Sequence, residues 1–490
     1  MSIRPVKLDK KALSSFDQKL FNTEIEISGV SINAAAVKSG DLFIALPGTK
    51  THGMNFIDQA ISNGAVAVLS DTKIVCSIPS FIDQNPRNLV GPISDWIYNK
   101  PFNKLVAVGI TGTNGKTTTS NLVKQLWDLN KINSGLIGTL GVEIGTEEIA
   151  GVRTTPEADE LQSLAAVMVE RGSTHLAMEV SSIAIDQSRV SGAKYKVVAF
   201  SNLTQDHLDY HKSMDQYFNA KAKLFTSEYA QIAVINIDDS YGKKLFEISK
   251  ITKKSVSRND KNADWYYSKI DALSDGYEIE ISDKNGQIIS GHYPLIGEHN
   301  LDNLLLAVAS VSICGLTNAQ ISDAISNLKS VPGRLETISD NQSFTALVDY
   351  AHTPDAVTRV LKSVRTFTSG RVIGVLGCGG DRDKSKRSPM GQALFAGSDL
   401  AIFTSDNPRN EKVDEILKEM TEGINLAEKG FVLIDRKEAI NFAVKMAKSG
   451  DCILLMGKGH ESGQEINGVI TPFDDRVELL NSIRQAANND

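Results

Sequence analysis

A glycine-rich segment near residue 112 has the residue types that bind a nucleotide phosphate. The apolar run that begins at Val106 ends in GTNGKTT, residues 112–118. Glycines let backbone N–H groups turn toward phosphate oxygens, Lys116 adds a positive charge, and the Thr117 hydroxyl suits Mg²⁺. The general P-loop pattern is met imperfectly, because Ile110 stands where that pattern has its first glycine. The segment therefore favours a phosphate-binding loop, with a plain glycine turn as the alternative.

A second group of polar residues could bind a metal ion. Residues 202–211, NLTQDHLDYH, follow a predicted strand. A neutral imidazole at His207 is a good metal ligand, and Glu179, at the end of another predicted strand, could supply a hard oxygen. A surface loop rich in His and Asp explains this segment equally well. Farther on, Lys221 and Lys223 by themselves indicate only a solvated helix face.

Three polar segments in the last third of the chain also follow predicted strands. Residues 377–387, GCGGDRDKSKR, combine glycines with Arg and Lys and could hold a carboxylate or phosphate. In residues 405–409, SDNPR, the rigid Pro408 would aim Arg409, whose planar guanidinium suits a carboxylate. A β-turn with a solvated arginine is the simpler interpretation of SDNPR alone. Residues 457–461, GKGHE, would be a turn if they were isolated.

The surrounding elements would place these residues at one edge of a sheet. After the glycine-rich loop, apolar residues recur at helical spacing: Leu122, Val123, Leu126, Trp127 and Leu129. Three later strands end in polar residues, which are Glu179, then Ser201 and Asn202, then Asn236, Asp238 and Asp239. Ligands of open parallel sheets bind at the carboxyl ends of the strands. We therefore expect these polar ends to converge on the loop.

The length and pattern of the chain predict three α/β domains. A chain of 490 residues is too long for one hydrophobic core. We expect a small α/β domain at residues 1–100, a central P-loop domain with a parallel sheet at 101–331, and a doubly wound, Rossmann-like domain at 332–490. A plausible linker at Asn99, Lys100 and Pro101 marks the first boundary, and Pro332 with Gly333 marks the second.

Composition and charge are those of a soluble enzyme. The chain is 41% hydrophobic and 23% charged, and its net charge of −7 argues against a nucleic-acid-binding surface. Its four cysteines are scattered, which indicates reduced thiols. No apolar signal segment is visible at the N-terminus, and the longest apolar run is too short to span a bilayer. We therefore expect a cytoplasmic protein with no membrane or nucleic-acid partner.

Ten short motifs occur in the order found in the Mur ligase family, which the chain resembles over nearly its whole length. They are GTNGKTT, TTPE (154–157), MEVSS (178–182), NLTQDHLDYH (202–211), AK (220–221), PGRLE (332–336), DYAHTPD (349–355), GGDRDKSKR (379–387), DNPR (406–409) and GKGHE (457–461). The resemblance implies ATP-dependent amide synthesis with Mg²⁺ by a chain that acts as a monomer. The D-glutamate carboxylate of a UDP-N-acetylmuramoyl dipeptide would become an acyl phosphate, which the incoming amine attacks.

The resemblance also implies roles for individual residues. The phosphates would lie on Gly112, Thr113, Asn114, Gly115, Lys116, Thr117 and Thr118, and the rest of ATP on Asn300, Arg334 and Asp349. The metal and catalytic groups would be Lys116, Thr117, Glu179, His207 and Lys221, with Lys221 carbamylated. The dipeptide would bind Thr154, Thr155, Ser181, Gln187 and Arg189. The incoming amino acid would bind Arg382, Asp406, Asn407, Pro408, Arg409, Gly457 and Glu461.

The DNPR motif resembles the form that selects meso-diaminopimelate, and addition of L-lysine is the alternative within the family. Folylpolyglutamate synthase shares the GTNGKT loop but is disfavoured by the small first domain. A nucleotide-binding protein without chemistry is disfavoured by the retained Lys116, Glu179, His207 and Lys221.

The chain departs from the family pattern at several positions. Asn33, Ala34 and Ala35 replace a usual Asp-Ser-Arg that helps to hold the uridine diphosphate. The other departures are Ile183, Gln205, Lys212 and His299. None of them removes a phosphate, metal or carbamylation position.

Overall fold

Three sheets with helices packed against them organise the protein. The computed structural model describes residues 3–48, 51–151, 153–273 and 276–487. None of the helices in these ranges is long and apolar enough to cross a membrane. The four cysteines are unpaired.

The first sheet has four parallel strands in the order β3-β4-β5-β6, and a separate antiparallel pair, β1 and β2, precedes it. The apolar side chains of Leu42, Ile44 and Leu69 lie in its core. The elements of this unit are β1 (Lys11–Ala12), β2 (Glu26–Ile27), β3 (Gly29–Ser31), β4 (Asp41–Ala45), α1 (Ile57–Ser62), β5 (Ala65–Ser70), β6 (Ser80–Ile82) and α2 (Arg87–Ile97).

The second sheet has 11 strands and carries the glycine-rich loop. Its elements are β7 (Val106–Thr111), α3 (Lys116–Leu129), β8 (Ser134–Gly138), β9 (Gly141–Ile144), β10 (Glu147–Ile149), α4 (Ala158–Glu170), β11 (His175–Glu179), α5 (Ser182–Asp186), β12 (Tyr195–Phe200), α6 (Leu208–His211), α7 (Met214–Ala222), β13 (Ala230–Asn236), α8 (Ser240–Ile248), β14 (Thr252–Ser257), β15 (Trp265–Leu273), β16 (Gly276–Asp283), β17 (Ile288–Tyr293), α9 (Glu298–Ile313) and α10 (Asn318–Ile325). The strand order is β10-β9-β8-β11-β7-β12-β13-β14-β15-β16-β17. The seven central strands, β8-β11-β7-β12-β13-β14-β15, pair in parallel. The pairings of β9 and β10 at one edge, and of β16 and β17 at the other, are antiparallel.

The third sheet has six strands in the order β18-β19-β23-β20-β21-β22, all parallel except β18. A two-stranded hairpin, β24 and β25, stands apart from it. The elements are β18 (Glu336–Thr337), β19 (Thr345–Asp349), α11 (Pro354–Phe367), β20 (Val372–Leu376), α12 (Arg387–Gly397), β21 (Leu400–Phe403), α13 (Val413–Met420), β22 (Gly430–Val432), α14 (Arg436–Met446), β23 (Cys452–Met456), β24 (Gly463–Ile466), β25 (Val469–Pro472) and α15 (Asp475–Ala487).

This architecture confirms the predicted fold class. A parallel P-loop sheet is flanked by a small α/β unit on the N-terminal side and by a Rossmann-like sheet on the C-terminal side. The order within the central sheet places β7 between β11 and β12. The loop after β7 therefore lies beside the ends of β11 and β12, where Glu179 and Ser201 stand.

The third predicted polar strand end behaves differently. Asp239 caps α8 by accepting hydrogen bonds from Tyr241 N (2.9 Å) and Gly242 N (3.0 Å), and Asp238 accepts from Arg258 N (2.8 Å). The prediction that Asn236, Asp238 and Asp239 face the phosphate loop is therefore wrong. The physical reason is position, since β12 separates their strand, β13, from β7.

Helix α3 joins the phosphate loop to the core. Leu122, Val123, Leu126 and Trp127 are fully buried. Leu129, expected on the same face, is 44% exposed because it is the last residue of the helix. Burial of four large apolar side chains within two turns holds the start of α3, and with it the loop, against the sheet.

We predict that Leu126→Ala lowers the free energy of unfolding by about 2–5 kcal/mol, because it leaves a cavity in a close-packed core. Leu129→Ala on the same helix is the matched control and should change it by less than about 0.5 kcal/mol. Urea unfolding followed by tryptophan fluorescence measures both. Equal effects of the two substitutions would contradict the assigned packing of α3.

Candidate active site

A cavity of about 720 Å³ lies where the central sheet meets the C-terminal unit. Its wall collects most of the residues that the sequence singled out. From the central unit these are Thr113, Asn114, Gly115, Lys116, Thr117, Thr118, Thr154, Thr155, Glu179, Ser181, Arg189, His207 and Lys221, and from the C-terminal side they are Arg334, Asp349 and Arg382.

At two glycines of the phosphate loop, the backbone lies very close to side chains of neighbouring elements. Gly112 has φ 152° and Gly115 has φ 87°, a region that favours glycine. A Cβ atom at Gly112 would lie 1.9 Å from Ser201 Oγ, and one at Gly115 would lie 2.3 Å from Asn303 Oδ1. Larger residues would therefore push the loop away from β12 and α9.

Lys116 curls back over this loop. Its ammonium group donates to the carbonyl oxygens of Gly112 (3.0 Å) and Thr113 (2.9 Å). Burial lowers the pKa of Lys116, and the nearby Glu179 carboxylate partly opposes that shift. A cation held at the loop in a desolvated place is suited to bind a phosphate group.

Glu179 is a buried carboxylate whose hydrogen-bond donors are neutral. It is 1% exposed and accepts hydrogen bonds from Thr117 Oγ1 (2.9 Å), Thr139 N (2.8 Å) and Thr139 Oγ1 (3.1 Å). A buried carboxylate normally requires a positive partner. Its pairing with the Thr117 hydroxyl gives an oxygen-rich pair of the kind that Mg²⁺ binds.

Lys221 is buried beside the phosphate loop, so the interpretation of its segment as a solvated helix face is wrong for this residue. It is 1% exposed, donates to Gly112 O at 2.8 Å, and lies over the ring of Tyr217. Burial, and after it the charge of Lys116, lowers the pKa of Lys221 well below its usual value. Lys223, by contrast, is exposed and pairs with Asp186 at 2.9 Å.

His207 faces the cavity at the start of α6. It has φ 53°, and its Nε2 lies 3.5 Å from Asp206 Oδ2. Burial lowers the pKa of His207, against the opposing effect of Asp206. The other histidine of this motif, His211, is buried and bonded to Ser182 Oγ (2.9 Å), so its role is in packing.

The candidate metal ligands meet in one cavity without forming an acidic cluster. Thr117, Glu179, His207 and Lys221 all line its wall. Within the described ranges, no group of three or more His, Cys, Asp or Glu side chains is arranged to hold a metal ion. Only two of the four candidates are of those types, and the set gains a second anionic ligand, beside Glu179, only if Lys221 carries an added carboxylate.

Arg334 and Asp349 reach the cavity from the C-terminal side. Arg334 Nη2 donates to Thr117 Oγ1 at 3.2 Å, and its guanidinium lies 4.5 Å from the ring centre of Tyr350. Asp349 accepts from Leu335 N and Ala351 N, both at 2.8 Å, and burial raises its pKa. These contacts bring a cation from the junction between the two units onto the phosphate loop.

Asn300 lies behind the cavity wall. Its Nδ2 donates to Ile296 O (2.7 Å), and its Oδ1 accepts from Asn303 Nδ2 (3.2 Å). The neighbouring His299 and Asn303 line the cavity. Burial lowers the pKa of His299 to about 4, so this departure from the family pattern places a neutral imidazole in the wall.

The residues predicted to bind the dipeptide form a connected group beside Glu179. Thr155 Oγ1 donates to Glu179 O (2.9 Å) and accepts from Ser181 N (3.1 Å). Arg189 Nη2 donates to Gln187 Oε1 (2.6 Å), which places Gln187 behind Arg189. Thr154 Oγ1 contacts the hydroxyl of Thr139 at 3.1 Å. Two threonines and an arginine next to the Glu179 carboxylate can bind an anionic substrate.

The residues predicted to bind the incoming amino acid form a second cluster. Asn407 Nδ2 donates to Glu461 Oε2 at 2.7 Å. Gly457 has φ 108°, and a Cβ atom there would lie 2.6 Å from Asp406 Oδ2. Arg409, which follows Pro408, donates from Nη1 to Gly380 O (2.8 Å) and pairs through Nε with Glu465 (3.2 Å). Arg382 lines the main cavity instead.

A buried ion pair holds the two loops that carry this second cluster. Arg436 and Asp475 are both 0% exposed in their side chains and lie 2.6 Å apart. Arg436 also donates to Ser405 O (3.1 Å) and Met456 O (2.9 Å). Those carbonyls immediately precede the DNPR and GKGHE segments, so one guanidinium fixes the start of both.

Family models match three successive parts of the chain. They describe a "Mur ligase family, catalytic domain" at residues 26–90, a "Mur ligase middle domain" at 110–311 and a "Mur ligase, glutamate ligase domain" at 333–459. The chain is 40% identical to the UDP-N-acetylmuramoyl-L-alanyl-D-glutamate--2,6-diaminopimelate ligase of Streptomyces coelicolor, over 98% of each chain. It is 42% identical to the ligase of the same name from Nostoc sp., over 92% of this chain and 93% of the relative. The chain belongs to the Mur ligase family.

Solved structures of Mur ligases have the same fold. A UDP-N-acetylmuramoyl-L-alanyl-D-glutamate--2,6-diaminopimelate ligase structure is 31% identical and covers 98% of this chain and 100% of its own, with a TM-score of 0.70. MurF from Thermotoga maritima, solved with ADP, is 18% identical over 94% of this chain and 98% of its own, with a TM-score of 0.63. At that identity the likeness shows the fold alone.

Several residues of this Mur ligase site were missed in the sequence. Asn303 supports Gly115, and Tyr350 contacts Arg334. Lys458, 0% exposed, donates to Asn407 Oδ1 (3.3 Å) and Gly463 O (2.7 Å). Arg436 lies in a helix outside every quoted motif. Tyr350 and Lys458 stand inside the DYAHTPD and GKGHE motifs, so only the motif itself could have indicated them.

We predict that Arg436→Met lowers the free energy of unfolding by about 3–5 kcal/mol, because it leaves Asp475 buried and unpaired. The double variant Arg436→Met, Asp475→Leu should recover most of that loss. Arg484→Met, which breaks the more exposed pair with Asp340, is the control and should cost less than about 1 kcal/mol. Urea unfolding measures all three. If the double variant were no more stable than the single one, the unpaired charge would not be the cause.

Proposed function

We propose that this Mur ligase adds meso-diaminopimelate to the D-glutamate of UDP-N-acetylmuramoyl-L-alanyl-D-glutamate in peptidoglycan synthesis, with ATP converted to ADP and phosphate. The observation that carries the proposal is the convergence of the phosphate loop, the buried Glu179, Lys221 and Arg334 on one cavity. The relatives that are about 40% identical over nearly the full length carry the name of this diaminopimelate ligase. ATP use is supported by the family and by the ADP-bound MurF structure.

The chain's own residues divide the work in this proposal. The loop residues Gly112–Thr118, with Lys116, hold the phosphates, and Arg334 neutralises the charge that develops during transfer. Asn300 and Asp349 support the adenine and ribose ends. Phosphoryl transfer depends mainly on positioning and charge neutralisation, which is what these groups supply. The product of that step is an acyl phosphate on the D-glutamate carboxylate, which the incoming amine attacks with release of phosphate.

The side chains present fit Mg²⁺. Thr117 would hold one ion, and Glu179, His207 and a carbamylated Lys221 would hold another. Mg²⁺ would neutralise the negative charge of the phosphate oxygens. The fit rests on the buried Glu179 carboxylate, which has only neutral hydrogen-bond donors, and on the burial of Lys221 in the wall of the same cavity.

We also propose a division of the substrates among three domains, at residues 1–100, 101–331 and 332–490, in a chain that acts as a cytoplasmic monomer. The first domain would bind the uridine diphosphate, the second ATP and the muramoyl dipeptide, and the third the amino acid. Thr154, Thr155, Ser181, Gln187 and Arg189 would contact the dipeptide. In the first domain, Asn33 caps a short 3₁₀ helix at Ala34–Ala36, so the altered segment is folded without an arginine.

The amine is assigned from the second cluster. meso-Diaminopimelate differs from L-lysine by one carboxylate, and Arg382 with Arg409 would pair with its carboxylates. Asn407, Gly457 and Glu461 would complete the site, with Asp406 and Pro408 fixing its backbone. A site built for a carboxylate rejects an analogue that lacks it, because the analogue cannot make the contacts of that carboxylate with Arg382 and Arg409.

We predict that the purified protein releases phosphate from ATP only when the UDP-muramoyl dipeptide and meso-diaminopimelate are both present with Mg²⁺. L-Lysine and L-ornithine in parallel should give kcat/KM values lower by about 100-fold or more. A coupled phosphate assay and mass spectrometry of the product measure this. Absence of phosphate release with all substrates would refute the proposed reaction, and preference for L-lysine would refute the assigned amine.

We predict that Lys221→Ala lowers kcat by at least about 100-fold, because the site loses the group that completes its anionic ligands. Lys223→Ala, two residues farther on and exposed at the C-terminal end of α7, is the matched control and should keep full activity. An added short carboxylate such as acetate should restore part of the activity of Lys221→Ala if a carbamate is present. Unchanged activity of Lys221→Ala would contradict the proposed catalytic role of Lys221.

A further inference from the structure

Tyr350 lies between the nucleotide pocket and the amino-acid cluster and contacts both. It follows Asp349 at the end of β19 and lines the main cavity. Its ring carries the guanidinium of Arg334, with Cζ 4.5 Å from the ring centre. Its hydroxyl donates to Glu461 Oε1 at 3.4 Å. One side chain therefore touches a group of the phosphate site and a group of the amino-acid site.

On the nucleotide side, Arg334 has few other supports. Its Nη2 donates to Thr117 Oγ1 in the phosphate loop (3.2 Å). The face of the Tyr350 ring fixes the height of the guanidinium through a cation–π contact. A phosphate bound at the loop attracts the same guanidinium and acts through it on the Tyr350 ring, which the rings of His352 (4.7 Å) and His460 (5.2 Å) also contact.

On the amino-acid side, Glu461 is held at its other oxygen. Oε2 accepts from Asn407 Nδ2 (2.7 Å) and Lys458 Nζ (3.4 Å), which leaves Oε1 to Tyr350. Burial and the neighbouring Glu461 raise the pKa of Tyr350 to about 12, so the hydroxyl keeps its proton and remains a donor. The Tyr350 hydroxyl thereby adds a contact at Oε1 to a carboxylate that Asn407 and Lys458 hold at Oε2.

We propose that Tyr350 is a positioning residue that couples the two pockets: nucleotide bound at the loop fixes Arg334, Arg334 fixes the Tyr350 ring, and the ring presents Glu461 to the amino acid. The inference rests on the proposed function and names what links its two small-molecule sites. Coupling of this kind is reciprocal, so the amino acid strengthens nucleotide binding by the same factor. The affinity for the incoming amino acid would then be high only when the nucleotide is bound.

The test compares the affinity for meso-diaminopimelate with and without saturating ADP and Mg²⁺, by isothermal titration calorimetry on the full chain. In the unsubstituted protein we expect ADP to tighten binding by at least about fivefold. Tyr350→Phe keeps the ring under Arg334 and removes only the hydroxyl. It should therefore reduce that factor to less than about twofold, while its affinity for ADP alone stays unchanged.

Tyr195→Phe is the matched control, because it removes a buried tyrosine hydroxyl that contacts Met178 Sδ (3.2 Å) within the central sheet. It should keep the full effect of ADP. Full retention of that effect in Tyr350→Phe, or equal affinity with and without ADP in the unsubstituted protein, would overturn the coupling alone. If the unsubstituted protein did not bind meso-diaminopimelate under either condition, the coupling would be overturned, whereas the proposed function would fall only if phosphate release also failed with all substrates present.

Discussion

Two lysine side chains share one carbonyl oxygen at the centre of this protein. Lys116 and Lys221 both donate to Gly112 O, one from the start of α3 and the other from α7. The two buried ammonium groups repel each other, and burial together with the charge of Lys116 lowers the pKa of Lys221. Glu179 and Asp206 offset only part of the corresponding shift at Lys116. The phosphate loop is therefore built around a deficit of negative charge, which a nucleotide or a carboxylate on Lys221 removes.

Packing on both sides of the cavity fixes the position of the phosphate loop and its two lysines. Helix α3 ties the loop to the core through Leu126 and Trp127, and Ser201 and Asn303 confine the two glycines from outside. On the C-terminal side the rigid element is polar: the buried Arg436 holds two strand ends by their carbonyl oxygens. The apolar packing of α3 positions the phosphate loop, and the buried Arg436 positions the DNPR and GKGHE segments, so that both groups of residues lie near one cavity.

The sequence allowed the loop, the strand ends at Glu179 and Ser201, and the fold class to be predicted, because each depends on local pattern. Lys221 could not be recognised from its own segment. Its burial depends on how α7 packs against α5 and α6 and places the side chain beside Gly112, which no periodicity in nine residues expresses. The prediction for Asp239 was wrong for a related reason, since strand order, and not strand ending, decides which polar residues face the loop.

The roles of Tyr350 and Lys458 required coordinates. Both are ordinary residue types, and their importance comes from partners far away in the sequence. Lys458 contacts Asn407, 51 residues away, and Tyr350 contacts Glu461, 111 residues away. Arg436 is the first residue of α14, yet its side chain is fully buried. Long-range polar contacts of this kind leave no periodic signal in a single sequence.

Arg409 already has partners in the structure, namely Gly380 O and Glu465, and its backbone stands at φ 51°. A ligand carboxylate that binds there takes the place of Glu465 on the guanidinium, so the site carries little uncompensated positive charge before the ligand arrives. Recognition at this position is then an exchange with little net attraction at long range. Selectivity at such a site is expressed in how slowly the correct ligand leaves, and ionic strength should have little influence on how fast any ligand arrives.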